Sequence, residues 1–272
     1  KRIITLTFSK ASEYIAYDQY FSILIFLKSL YEQSDMFAMS FLLFMALGIY
    51  FRSFSTVRYY FVLAITLYSL RYVINKEYTK FVLLILFAAF FHKSVLVVIP
   101  MYFICNRKWK KWFYGLVGIG TIMLYVLKDL VMNIALRLYP SYKDTMYLTQ
   151  DIGIKANLPG IIRCAVVIAL CLLCYKEAIR DRKENDLYFN MSVMAIALYI
   201  GGSFIPMVSR FGYYLITAQI LLIPGIYNSL EGKKKKYVLY GIIAVAAMYF
   251  IYFFHYFSSF LFNIFIILYI LS

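Results

Sequence analysis

The sequence predicts an all-α polytopic membrane protein. It should fold as a single transmembrane domain over residues 1–272, with about nine transmembrane helices and one re-entrant helical hairpin. Three observations predict this class. The chain is 64% hydrophobic and only 15% charged, more apolar surface than a water-soluble fold could cover. Its apolar residues fall in long blocks, each near the roughly 20 residues that cross a bilayer core. Short basic clusters separate the blocks and carry a net charge of +15, which in such a chain points to an anionic membrane surface and away from nucleic acid.

The elements follow in order. The opening KRIITLTFSKASEYIAYDQY is polar and lacks a small-residue cleavage site after an apolar core. It is therefore no cleavable signal, and the expectation is a start inside a longer native protein that has a further first helix. Spans are predicted at residues 17–31, 36–51, 59–74, 112–127, 161–176, 187–208, 211–230 and 237–257, with a last apolar stretch at 260–271. Basic residues gather at Arg71, Lys76 and Lys80, at Arg107 to Lys111, at Lys176 to Lys183 and at Lys233 to Lys236. The excess of Lys and Arg in cytoplasmic loops puts all four clusters inside. Residues 52–58, the segment 128–160 and the surroundings of Arg210 then face outward, as does the N-terminal stretch with Glu13 and Asp18.

Parity singles out residues 81–104, FVLLILFAAFFHKSVLVVIPMYFI. Cytoplasmic clusters flank this run on both sides, so it enters and leaves at one face. The solution is a hairpin of two half-helices, FVLLILFAAFF and SVLVVIPMYFI, with His92 and Lys93 at the tip. Non-helical backbone at that depth is tolerated only where it lines a polar cavity. The alternative is one long tilted helix with His92 hydrogen-bonded inside the bundle. Under both, ionisable groups at membrane depth are functional candidates.

The outward segment 128–160 is the one long polar insertion. Within it, LVMNIALRLY reads as an amphipathic surface helix, and Tyr139, Tyr142 and Tyr147 are candidates to stack on sugar rings or to sit at the interface as ordinary aromatics. GGS at 201–203, followed by Pro206, predicts a helix break before Arg210. Cys105, Cys164, Cys171 and Cys174 lie in or beside apolar blocks, so the CxxC at 171–174 is read as packing. The sequence contains no HExxH, no phosphate-binding glycine loop and no internal repeat, and neither a metal nor another cofactor is expected.

Three segments, STVRYYFVLAITLYSLRYV, LFAAFFHKSVLVVIP and FIPMVSRFGYYLITAQILLIP, resemble in residues and order the EpsG family of bacterial membrane proteins. That family begins with a helix and an acidic loop only partly represented here, and Asp18 would match the loop. EpsG proteins are similar to Wzy-type polysaccharide polymerases, which resemble the GT-C class of lipid-linked-sugar glycosyltransferases. The resemblance implies a GT-C-like fold in the bacterial plasma membrane. It also implies polymerisation of undecaprenyl-diphosphate-linked oligosaccharides at the outer face into exopolysaccharide, capsule or O-antigen. The implied partners are those lipid-linked substrates, membrane lipids, and chain-length regulator and flippase proteins.

Such a reaction needs outward cations for a diphosphate, a proton acceptor and an amphiphilic groove. Arg58 and Arg210, at the outer ends of predicted helices, suit phosphate, and each could equally snorkel to headgroups. Lys93 and Ser94 would add a charge and free backbone N–H groups. His92, Asp18 and Glu13 are the candidate proton acceptors; His92 titrates nearest neutrality, and Asp18 is equally readable as a helix cap. A flippase or transporter of lipid-linked sugars, and a membrane O-acyltransferase with His92 reached from the cytoplasm, are the rival readings.

Overall fold

A computed structural model describes residues 2–138, 153–180 and 182–271. Among these no β-strand occurs. The helices are α1 (Arg2–Gln33), α2 (Phe37–Ala46), α3 (Ile49–Ser53), α4 (Val57–Ile74), α5 (Tyr78–Ala89), α6 (Val98–Cys105), α7 (Lys111–Val126) and α8 (Lys128–Leu138). There follow α9 (Gly153–Leu173), α10 (Lys183–Gly201), α11 (Pro206–Ile216), α12 (Gln219–Asn228) and α13 (Gly232–Leu271).

Helix α4 is one of the most buried helices of the bundle. Its Val62, Leu63, Leu67, Leu70 and Val73 are buried together with Thr66 and Ser69. The two hydroxyls donate back to carbonyls three residues earlier, both at 2.7 Å, so neither brings an unmet polar group into the core. Helix α1 runs beside α4 in the same direction: the Lys28 ammonium lies 5.3 Å from the Tyr68 ring centroid, Gln33 Nε2 donates to the Leu67 carbonyl at 3.2 Å, and Arg71 pairs with Glu32. Pro224 inside α12 cannot supply the N–H that the Ile220 carbonyl would otherwise accept. The Ser40 hydroxyl supplies the hydrogen bond instead, at 2.7 Å, and so ties α2 to α12.

The segment after Lys80 doubles back. Phe81 stacks on Tyr102 with centroids 5.7 Å apart, whereas on one straight helix that sequence separation would span roughly 30 Å. Tyr78 likewise meets Phe103 at 5.1 Å, and Asn106 Nδ2 donates to the Val73 carbonyl at 3.3 Å. The chain turns at Phe90 to His92, where His92 is extended (φ −154°, ψ 104°), and resumes as a 3-10 turn, Lys93–Val97, leading into α6. The hairpin predicted by charge parity is therefore present, and the tilted helix is not.

The basic clusters share one end of the bundle. Asn190 Nδ2 donates to the carbonyls of Cys105 (3.0 Å) and Arg107 (3.2 Å), Arg182 pairs with Asp35 beside α2, and Lys234 Nζ reaches Glu177 (2.6 Å) and the Leu173 carbonyl (3.0 Å). The adjacent ammonium holds the exposed Glu177 carboxyl below its ordinary range.

Nine separate spans are not what the described residues show. Two helices, Val57–Ile74 and Gly232–His255, are long and apolar enough to cross a membrane alone, and α7 with the start of α8 makes a third if that pair, bent by 78°, counts as one. The stretches 237–257 and 260–271 belong to one continuous helix, because neither glycine nor proline interrupts the sequence from Ile242 to Leu271. The stretch 36–51 is two helices, broken at Gly48 (φ +70°), where a Cβ would come within 2.8 Å of the Phe253 ring. The predicted amphipathic helix in 128–160 is α8, and residues 153–160 already belong to α9.

Candidate functional site

At the end of the bundle opposite the basic clusters, three segments meet: the first turn of α4, the hairpin tip and α11. Tyr59 joins all three. Its ring stands edge-on to His92 with centroids 5.5 Å apart, its hydroxyl donates to the Arg210 carbonyl at 2.9 Å, and it packs against Tyr214 at 5.2 Å. The hydroxyls of Ser94 and Tyr214 share a hydrogen bond of 3.0 Å, and the Tyr60 hydroxyl donates to that of Tyr213 at 3.3 Å. Below them Tyr102, fully buried, lies with its hydroxyl 3.5 Å from the carbonyls of both Thr66 and Tyr214. The hairpin tip is thus held by aromatic packing and hydroxyls from two other helices, a preorganised arrangement for a re-entrant turn.

His92 is half-buried. Its Nε2 is buried and has no hydrogen-bond partner among the described residues. An unmet buried ring nitrogen is costly. The charge of Arg210 lies within electrostatic reach of the imidazole. Arg58, Lys93 and Arg210 are exposed on these same segments, and none forms an ion pair with a described carboxylate.

The structure thus gathers His92, Ser94 and Arg210, with Arg58 and Lys93 on adjoining residues. Arg58 does open its helix, as the second residue of α4. Arg210 does not. Because Pro206 starts α11 after the turn at 202–205, Arg210 is that helix's fifth residue and lies beyond its free N–H groups. Asp18 is neither a cap nor at a helix end, since α1 continues unbroken on both sides of it; it is exposed and forms no ion pair among the described residues. Tyr139, Tyr142 and Tyr147 lie outside the described residues, and side-chain surroundings are not described for Glu13.

Sequence reasoning missed Tyr59, Tyr60, Tyr213 and Tyr214. A signal was available: each of the arginines Arg58 and Arg210 is followed closely by a tyrosine pair, RYY and RFGYY. It also missed Arg52 on α3 and Arg163 on α9. Arg163 is buried, its Nε donating to Gln219 Oε1 at 2.8 Å and its Nη2 to the Ile216 carbonyl at 3.2 Å.

Fold and site together define an all-helical membrane protein whose histidine-tipped hairpin is gripped by paired tyrosines at one end of the bundle. Such a bundle keeps its polar chemistry at an interface. The chain belongs to the EpsG family, whose family model matches residues 4–271, essentially its whole length. Membership makes it a membrane protein of polysaccharide synthesis. No curated protein and no solved structure matches it.

Proposed function

We propose that the protein is a GT-C-like, Wzy-type polymerase that joins undecaprenyl-diphosphate-linked oligosaccharides at the outer face of the bacterial plasma membrane. The observation that supports this reading best is the meeting of His92, Tyr59 and Arg210 from three distant segments, with Arg58 and Lys93 beside them. His92 Nε2 accepts the proton of an acceptor sugar hydroxyl as its oxygen bonds to the anomeric carbon of the donor. The bond from that carbon to the diphosphate oxygen breaks, and the lipid diphosphate leaves with the electron pair. The guanidinium groups of Arg58 and Arg210, with the Lys93 ammonium, stabilise the charge that grows on it. Ser94 orients the tip through Tyr214. Asp18 is the second candidate base, and Tyr142 a candidate sugar platform. The donor linkage carries its own activation, so the reaction calls for no nucleotide or other cofactor. Chain-length regulator and flippase proteins are the expected partners.

Cysteine mapping at position 92 tests the reading. All four native cysteines are buried, so background labelling should be low. In His92→Cys, a membrane-impermeant thiol reagent should react from the outside. Reaction only from the cytoplasmic side would favour the O-acyltransferase, and reaction from both sides a flippase or transporter.

A further inference from the structure

Away from the hairpin, an apolar groove of about 840 Å³ runs between α9 and α13, floored by Leu43, Leu47 and Ile223. Its α13 wall extends from Tyr237 to Tyr252, roughly 22 Å at 1.5 Å per residue. One arginine lines the groove and a second lies beside its Tyr252 end. Arg163 lines the groove and is 6% exposed; its Nη1 is buried and has no hydrogen-bond partner among the described residues. Arg52 lies over the ring of Phe253, the residue after Tyr252, at 5.3 Å. Arg52 is within electrostatic reach of Tyr213, Tyr249, Tyr60 and Tyr199, and Tyr199 is also within reach of Arg163. Neither guanidinium pairs with a carboxylate among the described residues.

A desolvated guanidinium without a carboxylate is far more costly than a paired one, and a bound anion would remove that cost. The groove walls accept only a hydrocarbon chain. From Arg163 to Leu173, α9 covers roughly 15 Å. This is half of a bilayer core roughly 30 Å thick and hence the reach of one ordinary acyl chain. A much longer polyprenyl chain would overrun it.

We propose that this groove is a binding site for an anionic phospholipid, its phosphate held between Arg52 and Arg163 and an acyl chain lying between α9 and α13. Only 6% of the spanning window of α13 is buried. The lipid would serve as packing between this helix and the body. Through Tyr60 and Tyr213 the Arg52 end of the groove adjoins the hairpin-tip cluster, so its test reads lipid retention without any glycosyl transfer.

The experiment uses the full chain purified in mild detergent, loaded with phosphatidylglycerol or with phosphatidylcholine of the same chains, and weighed by native mass spectrometry. Two variants separate head from tail. Arg52→Gln removes one cation. Gly241→Phe fills the groove, and since a Cβ there meets open space the fold should tolerate the start of that side chain. The intact protein should retain phosphatidylglycerol about tenfold better than phosphatidylcholine. Arg52→Gln should erase that preference, and Gly241→Phe should lower retention of both lipids. Equal retention of the two lipids by the intact protein, or unchanged retention by both variants, would overturn the proposal. So would displacement of phosphatidylglycerol by an equal amount of undecaprenyl phosphate, which would give the groove to a polyprenyl lipid.

Discussion

Helices α4 and α13 pass the same test of length and apolarity, yet 56% of the spanning window of α4 is buried inside the protein and only 6% of that of α13. Helix α4 carries Thr66 and Ser69 inward, supports the hairpin, and opens with Tyr59 and Tyr60 beside His92 and α11. Helix α13 presents Ile243, Met248 and Ile251 outward and touches the body where Phe253 crosses Gly48. Lipid and protein interior are about equally apolar to a side chain, so hydropathy alone does not distinguish a central helix from a peripheral one.

If that contrast is right, the largest effect should come from the hairpin tip that α4 supports. His92→Ala should abolish chain elongation, by about a hundredfold to ten-thousandfold if His92 is the base, while the protein stays inserted and abundant and single lipid-linked units accumulate. Polymer and membrane-protein levels measured in the same cells check this. A variant that is simply degraded would make His92 a packing residue.

Next come the cations around the tip. A planar guanidinium grips two phosphate oxygens where an ammonium offers a point charge, so Arg58→Lys and Arg210→Lys should each slow elongation by roughly a hundredfold, ~2–4 kcal/mol of transition-state stabilisation. Purified protein in lipid with a defined undecaprenyl-diphosphate oligosaccharide is the assay. Near-normal elongation by both variants would assign these arginines to headgroup anchoring.

The smallest effects compare the two helices directly. Leu63→Ala, at a site with no exposure on α4, should cost about 2 kcal/mol through the cavity it leaves. Ile251→Ala, 68% exposed on α13, should cost less than about 0.5 kcal/mol. Unfolding measured in bilayer discs checks both. Equal losses would show that α13 is packed against protein in the functional state.

Much of the site's neighbourhood was legible in the linear pattern. His92 between two cytoplasmic clusters, and Arg58 and Arg210 in outward segments, follow from charge bias and parity, and the structure brings their segments together. The tyrosines that join them were not legible. Tyr59 reaches a carbonyl 151 residues away, and no periodicity along the chain encodes such a pair. Asp18 lies inside α1 and not at the helix end expected from the sequence, because no helix breaker accompanies its charge.

By itself the sequence determined the helical class, the hairpin and the end of the bundle at which ionisable residues gather. Those follow from one-dimensional rules: backbone in hydrocarbon must satisfy its own hydrogen bonds, and Lys and Arg collect on one face. Tertiary structure alone decided that residues 237–271 are one helix, that α4 is far more buried than α13, that His92 Nε2 has no hydrogen-bond partner among the described residues, and that Arg163 lines an apolar groove with Arg52 beside its Phe253 end. Each of these depends on which side chains from distant segments fill the same space, and in a chain that is apolar almost throughout, side-chain shape and hydrogen-bond partners make that choice, not hydropathy.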